Sequence, residues 1–281
     1  NARDGASAHH DVMGVAATAY DHWDSRAGDP QLHTHVVVSN KVRTVFDGRW
    51  RSLDSRPMFA SVVALSEHYN AVLADTLRRS LGVEWEMRVR GANRNPAFEI
   101  VGVDEELIAE FSNRARAIEI EKDRLIEGYV RDHGRAPTAS TVIKLRAAAT
   151  LTTRPEKHIH SLAELTENWR ARAGRVLGGD ATTWARGLLA RGARGDAVEL
   201  ARGFLRADDV SPVAVTDVAE AVVGAVSQRR STWKHWNLWA EASRQTMEWR
   251  FATVADRETA VGLIVEEAKR ISISLTPPEL T

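Results

Sequence analysis

Two histidines one residue apart, His33 and His35, sit inside the run Asp29-Pro30-Gln31-Leu32-His33-Thr34-His35-Val36-Val37-Val38, and a third, His22, stands upstream. The β-branched end of that run reads as a strand. Side chains alternate faces along a strand, so His33 and His35 point one way while Leu32, Thr34 and Val36 point the other. The segment from Gly14 to His22 reads as a second strand, and Gly28 and Pro30 punctuate the polar stretch between the two. Folding back there sets His22 beside the other two rings. Three neutral imidazoles hold a metal ion and leave it an open position, the pattern of catalytic rather than closed structural sites. Such an ion accepts a phosphate oxygen and offsets charge that develops during attack at phosphorus. A lone histidine is more often surface or packed core, and an H-x-H pair on a strand often carries no metal; the third ring is what favours the metal reading. A protonated imidazole cannot ligate, so affinity should fall in acid.

The elements expected to position these rings form a mixed front half. In Val45-Phe46-Asp47-Gly48-Arg49-Trp50 the Asp-Gly pair is a hairpin signal. Asp54 or Ser55 can cap a helix with Pro57 in its first turn, and Phe59, Val62, Val63, Leu65, Tyr69, Val72, Leu73 and Leu77 carry an apolar periodicity to a stop at Gly82. Val83 to Val89 and Ala97 to Val101 read as two further strands, so the front half is expected to be an antiparallel sheet with a helix on one face, and the fold class α+β. From Asp104 onward the pattern is helical. Ser112-Asn113 opens a helix ending at Gly134, Thr138 to Ser140 opens another, and Ser161 caps a third through Trp169. Gly174 to Arg194 reads as a weakly structured connection, and Ser211-Pro212 opens a last helical block.

Composition narrows the classes. The 281 residues contain no cysteine, which excludes disulfides and thiolate metal sites and fits a reducing compartment. Thirty-eight basic side chains balance 38 acidic ones, so the chain lacks the basic excess usual for nonspecific nucleic-acid binding. Local clusters remain, at Lys41 to Arg43, Arg49 to Arg56, Arg88 to Arg94 and Arg154 to Lys157. No signal peptide is expected, and the sequence holds no apolar run long enough to cross a bilayer. No G-x-x-x-x-G-K-[ST] occurs, so a nucleotide-binding loop is absent from this sequence.

The ordered run Tyr20, His22, Ser25, Arg26 and Asp29 through Val36 resembles the metal motif of the MobF-class conjugative relaxases of the TrwC/TraI type, and looks like their actinobacterial branch. The resemblance continues more diffusely through Trp50 to Asp54, His68 to Asn70, Arg94-Asn95-Pro96, Phe98 to Val103, Phe111 to Arg114 and Thr153 to Lys157. It implies an antiparallel sheet of the HUH-relaxase type carrying a three-histidine metal site of His22, His33 and His35, followed by a mostly helical C-terminal half. It further implies a nickase and strand transferase acting at a plasmid origin of transfer through a tyrosyl-DNA intermediate, with magnesium or manganese as the ion. By ligand softness, three imidazoles suit zinc or nickel as well.

The expected organisation is the C-terminal part of a relaxase sheet domain at 1–110, a helical cover at 111–173, a linker-like stretch at 174–210 and the helical start of a helicase-like region at 211–281. Arg26, Arg94, Arg154 and Lys157 are candidate DNA contacts, although a basic loop in water explains the last two equally well. The expected partners are single-stranded DNA at the origin of transfer, conjugation accessory proteins and the rest of a parent polypeptide, in the cytoplasm. Relaxases of this class carry nucleophilic tyrosines near the extreme N-terminus, upstream of the histidines. This sequence has only Tyr20, Tyr69 and Tyr129, so it is expected to be an internal fragment, inactive alone. Tyr20 is expected to pack in a core.

The other features have plainer readings. His158-Ile159-His160 is a second H-x-H outside any β-branched run, and His9-His10 would point oppositely in a strand. Trp233, Trp236, Trp239 and Trp249 could stack on bases, but core packing explains their spacing better. Two rival classes stand beside the relaxase. A cupin-like metal enzyme would add a glutamate soon after H-x-H, where this sequence has Val36 to Asn40; a noncatalytic single-stranded-DNA-binding or partner-binding fragment would need no nucleophile.

Overall fold

The computed structural model describes residues 10–90, 95–156, 158–192 and 203–275. By contacts the chain divides into two units, one of residues 1–53 and 103–185, the other of 54–102 and 186–281. Residues 54–102 thus group by contacts with residues 186–281.

In the first unit, β1 (Ala17–Asp24) and β2 (Pro30–Val38) pair antiparallel. A shorter antiparallel pair, β3 (Lys41–Arg43) with β4 (Trp50–Ser52), follows, and Val12 bridges to Thr44. The hairpin expected at Asp47-Gly48 forms, but around a six-residue loop of residues 44–49. Gly48 takes the left-handed conformation (φ 66°) that a side chain would disfavour. The Asp47 carboxylate closes this loop by accepting from Arg51 (2.6 Å on each oxygen) and the Thr44 hydroxyl (2.6 Å), and these bonds, Arg51's first, hold its carboxyl far below the usual carboxylate range.

Four helices complete this unit: α2 (Glu105–Glu110), α3 (Asn113–His133), α4 (Ala139–Thr152) and α5 (Leu162–Leu177). Their ends follow the capping rules. Gly134 ends α3 in the left-handed conformation, the Thr138 side chain accepts from the Thr141 N–H, and Ser161 with Glu164 forms a capping box at the start of α5. Arg114 donates to the Thr150 and Thr153 carbonyls and ties α3 to α4. The stretch expected to be weakly structured from Gly174 instead continues α5 to Leu177 and carries α6 (Ala181–Gly192). Leu177 is followed by Gly178 at φ 63°, a helix stop rather than the start of a loop.

The second unit is built on α1 (Arg56–Leu81), the antiparallel pair β5 (Trp85–Arg88) and β6 (Ala97–Ile100), and three late helices, α7 (Pro212–Ser227), α8 (His235–Gln245) and α9 (Val254–Arg270). A short 3-10 turn at Ala207–Asp209 precedes α7. Its core joins Ala219, Val222 and Val226 of α7, Leu238 and Ala242 of α8, and Val261, Ile264 and Val265 of α9. Trp233, Trp239 and Trp249 pack against that cluster, as their spacing suggests. The face that α1 buries is not the expected one. It consists of Ser61, Ala64, Ala71, Ala74 and Asp75, whereas Phe59, Val62, Val63, Leu65 and Tyr69 are exposed. Small side chains let α8 approach α1 closely, and backbone proximity rather than hydrophobic bulk sets that contact.

Among the described residues the strands form three separate two-stranded ladders rather than one continuous sheet, while the α+β class and the helical C-terminal half stand. No described helix is long and apolar enough to cross a membrane.

Candidate metal centre

The β1–β2 ladder decides where the three imidazoles lie. His22 is the direct cross-strand partner of His33, and Tyr20 is the partner of His35, so all four side chains share one face. The opposite face is marked by the next pair, Asp21 and Thr34, where the threonine hydroxyl donates to the carboxylate at 2.7 Å. The register shifts between His22 and Asp24, and irregularities of this kind bend a strand and re-aim its side chains.

Ring centroids stand 5.4 Å apart for His22 and His33, 4.6 Å for His22 and His35, and 4.8 Å for His33 and His35. One nitrogen from each ring lies within 4.8 Å of the others. His22 and His33 are half-buried, while His35 is exposed, which leaves the cluster open to solvent on one side. His33 and His35 present Nε2 atoms 3.3 Å apart. Two nitrogens bound at about 2.0–2.1 Å to one tetrahedral ion are separated by about 3.3 Å, so this edge is already at coordination length. The Nδ1–H of His33 donates to the Gln31 carbonyl at 2.7 Å, which leaves the Nε2 lone pair for a ligand and fixes the plane of the ring. The cluster can therefore hold one divalent ion through three nitrogen donors and leave a position for an oxygen ligand.

The loop that joins the strands is anchored by side chains that periodicity alone does not single out. Asp29 is 2% exposed. Its carboxylate accepts from the backbone N–H of Asn113, the Asn113 side-chain amide and Arg172, each at 2.9 Å. Ser25 Oγ accepts from the Ala27 and Asp29 N–H groups, and the Trp169 indole N–H donates to the Gly28 carbonyl at 2.8 Å. Arg172 also bonds Glu110 and lies 4.7 Å from the Phe111 ring centroid. Burial alone would lower its pKa, but the bonds to Glu110 and Asp29 outweigh burial and hold it above its ordinary value. In the sequence Asp29 belongs to a motif and Asn113 to a helix start, but nothing there signals Arg172 or the pairing of these residues far along the chain.

The other expected residues divide. Arg26 lies half-buried in the β1–β2 loop, and Arg154 is exposed just past the end of α4. Arg94 and Lys157 lie outside the described residues, as does His9. His158 and His160 are exposed, with ring centroids 6.4 Å apart and no ladder to align them. Tyr20 is not core: it is 54% exposed.

Residues 1–176, well over half the chain and including all three histidines, match the family model described as TrwC relaxase. The chain belongs to the TrwC relaxase family. It is 30% identical over 148 residues to the multifunctional conjugation protein TraI of Escherichia coli, an alignment that covers 50% of this chain and 7% of TraI. Similar solved structures include the conjugative relaxase TrwC in complex with oriT DNA in a metal-free form, at 28% identity and a TM-score of 0.45, covering 59% of this chain and 53% of that one. A copper-bound form of TrwC with oriT DNA is matched at 28% identity and a TM-score of 0.45, covering 59% of this chain and 51% of that one. The chain thus spans about half the length of these TrwC relaxases and a small part of TraI.

Proposed function

We propose that this TrwC-family chain carries the metal-binding part of a conjugative relaxase, a DNA strand transferase that nicks one strand at a plasmid origin of transfer. The observation that carries the reading is the convergence of His22, His33 and His35 on one face of an antiparallel pair inside the stretch that matches the family. The donor set fits one divalent ion, by nitrogen chemistry and by the 3.3 Å His33–His35 edge. When bound, the ion supplies positive charge against a phosphate oxygen. Magnesium or manganese is the expected ion by family resemblance, and by ligand softness three imidazoles suit zinc or nickel as well.

The chain's own part is positional. The ladder sets the three nitrogens, the Gln31 carbonyl holds the His33 ring, and the open side beside exposed His35 admits a phosphate. Arg26, Arg94, Arg154 and Lys157 contact the DNA backbone in this reading. A tyrosine hydroxyl attacks phosphorus, the bond to the 3′ oxygen breaks, and the 5′ phosphate stays linked to the tyrosine while the 3′ end leaves as a hydroxyl. Single-stranded origin DNA, accessory conjugation proteins and the remainder of a longer polypeptide are the partners, which places the activity in the cytoplasm.

Joining the N-terminal tyrosine segment of a family relative ahead of Asn1 tests this. The fusion is expected to form a covalent protein–DNA adduct on origin oligonucleotides, dependent on divalent metal and lost in the His33→Ala variant. The 281-residue chain alone is expected to form none. DNA binding by the fusion with no adduct would favour a noncatalytic binding fragment. An adduct formed by the chain alone and abolished by Tyr20→Phe would make exposed Tyr20 the nucleophile.

A further inference from the structure

We infer that Asp29 is a positioning residue for the metal centre: its buried carboxylate caps α3 from outside that helix and pins the start of β2, so that the next carbonyl but one is presented to His33. The inference rests on the metal reading above and concerns how that site is held. The first N–H groups of a helix have no intrahelical partners and favour an anion. At α3 the local cap residue does not serve, because the Ser112 hydroxyl donates backward to the Ile108 carbonyl at 2.6 Å. Asp29 takes its place, accepting from the Asn113 N–H with one oxygen and from the Asn113 amide and Arg172 with the other.

Two residues later the Gln31 carbonyl receives the His33 Nδ1–H. Only Pro30 lies between, its φ locked by the ring and its predecessor's backbone restricted, so little rotational freedom separates the anchored carboxylate from that carbonyl. Displacing Asp29 therefore displaces the group that sets which His33 nitrogen carries the proton. Loss of such an outer partner typically lowers metal affinity about ten- to a hundredfold.

The test is calorimetric titration of the full chain with nickel alone, paired with thermal unfolding of the apo protein and nitrogen-15 spectra of the His33 ring. Asp29→Asn is expected to bind nickel about tenfold or more weakly and to lose the uniform Nδ1–H form of His33. Thr138→Ala removes a helix cap from α4 without touching the anchor. It is expected to lower the unfolding temperature and leave both other readouts unchanged. Should Asp29→Asn fail to fold, Asn113→Ala removes one bond of the three and is expected to shift nickel affinity and tautomer in the same direction by less. Nickel affinity within twofold of the parent in a folded Asp29→Asn, or an equal loss in Thr138→Ala, overturns the inference. If the parent chain takes up no nickel, the metal reading itself fails, and the spectra still decide: an Nδ1–H form of His33 unchanged in Asp29→Asn overturns the anchoring role.

Discussion

At the scale of single residues, the metal cluster depends on one register. His22 faces His33 directly, His35 follows on the same face, and the His33–His35 nitrogen edge needs no rearrangement to bind. His158 and His160 share the same spacing in sequence but no ladder, and their rings stand farther apart. Calorimetry should therefore find one ion per chain. In His33→Ala affinity should drop by more than about a hundredfold, beyond the usual effect of an outer partner, while His160→Ala should be unchanged. Equal losses in the two variants would mean that the wrong pair has been chosen.

At the scale of elements, the second unit is locked by a buried ion pair. Arg257, 0% exposed, donates to both oxygens of Asp75 at 2.6 and 2.9 Å, to the Trp249 carbonyl at 2.6 Å, and lies over the Phe251 ring. Removing one member leaves a buried charge unpaired, so Asp75→Ala should cost about 3–5 kcal/mol, read as a lower midpoint of urea unfolding. Removing both, as Asp75→Ala with Arg257→Met, should recover part of that loss. The same unit holds His68, whose pKa burial lowers from its ordinary value of 6.5, with Arg257 acting in the same direction and Glu258, 3.4 Å away, opposing both. The folded state thus favours neutral His68. Its contribution to stability is complete above the ordinary value and is lost as pH falls from there through the lowered one. The unfolding temperature should decline across that window, and His68→Gln should make the decline shallower. His235, lowered by burial and then by Lys269, keeps it from vanishing.

At the scale of the whole molecule, the family match ends at residue 176, and helices α7, α8 and α9 share a core around Val222, Leu238, Ile264 and Val265. Nothing in the sequence provides the glycine-rich loop and lysine that cradle nucleotide phosphates. The purified 281-residue chain should therefore show no DNA-stimulated ATP hydrolysis. Phosphate release above the protein-free rate, in a preparation free of contaminating ATPase, would refute this.

Local patterns were sufficient for much of this protein. Alternation in β2 put His33 and His35 on one face, and Ser55, Gly82, Gly134, Thr138 and Ser161 marked helix ends at or next to the observed ones, because caps and strand alternation depend on neighbours in sequence. Tertiary structure decided the rest. Whether the large or the small residues of α1 faced inward depended on how closely α8 approached, whereas the apolar periodicity pointed to the large ones. The exposure of Tyr20 depended on what covers its ladder, and the separation into three ladders on pairings between distant segments. Asp29 meets Asn113 and Arg172 across most of the first unit. A carboxylate's partners at such separation leave no periodic trace, because they are chosen by packing and by the free energy of burying a charge rather than by spacing along the chain.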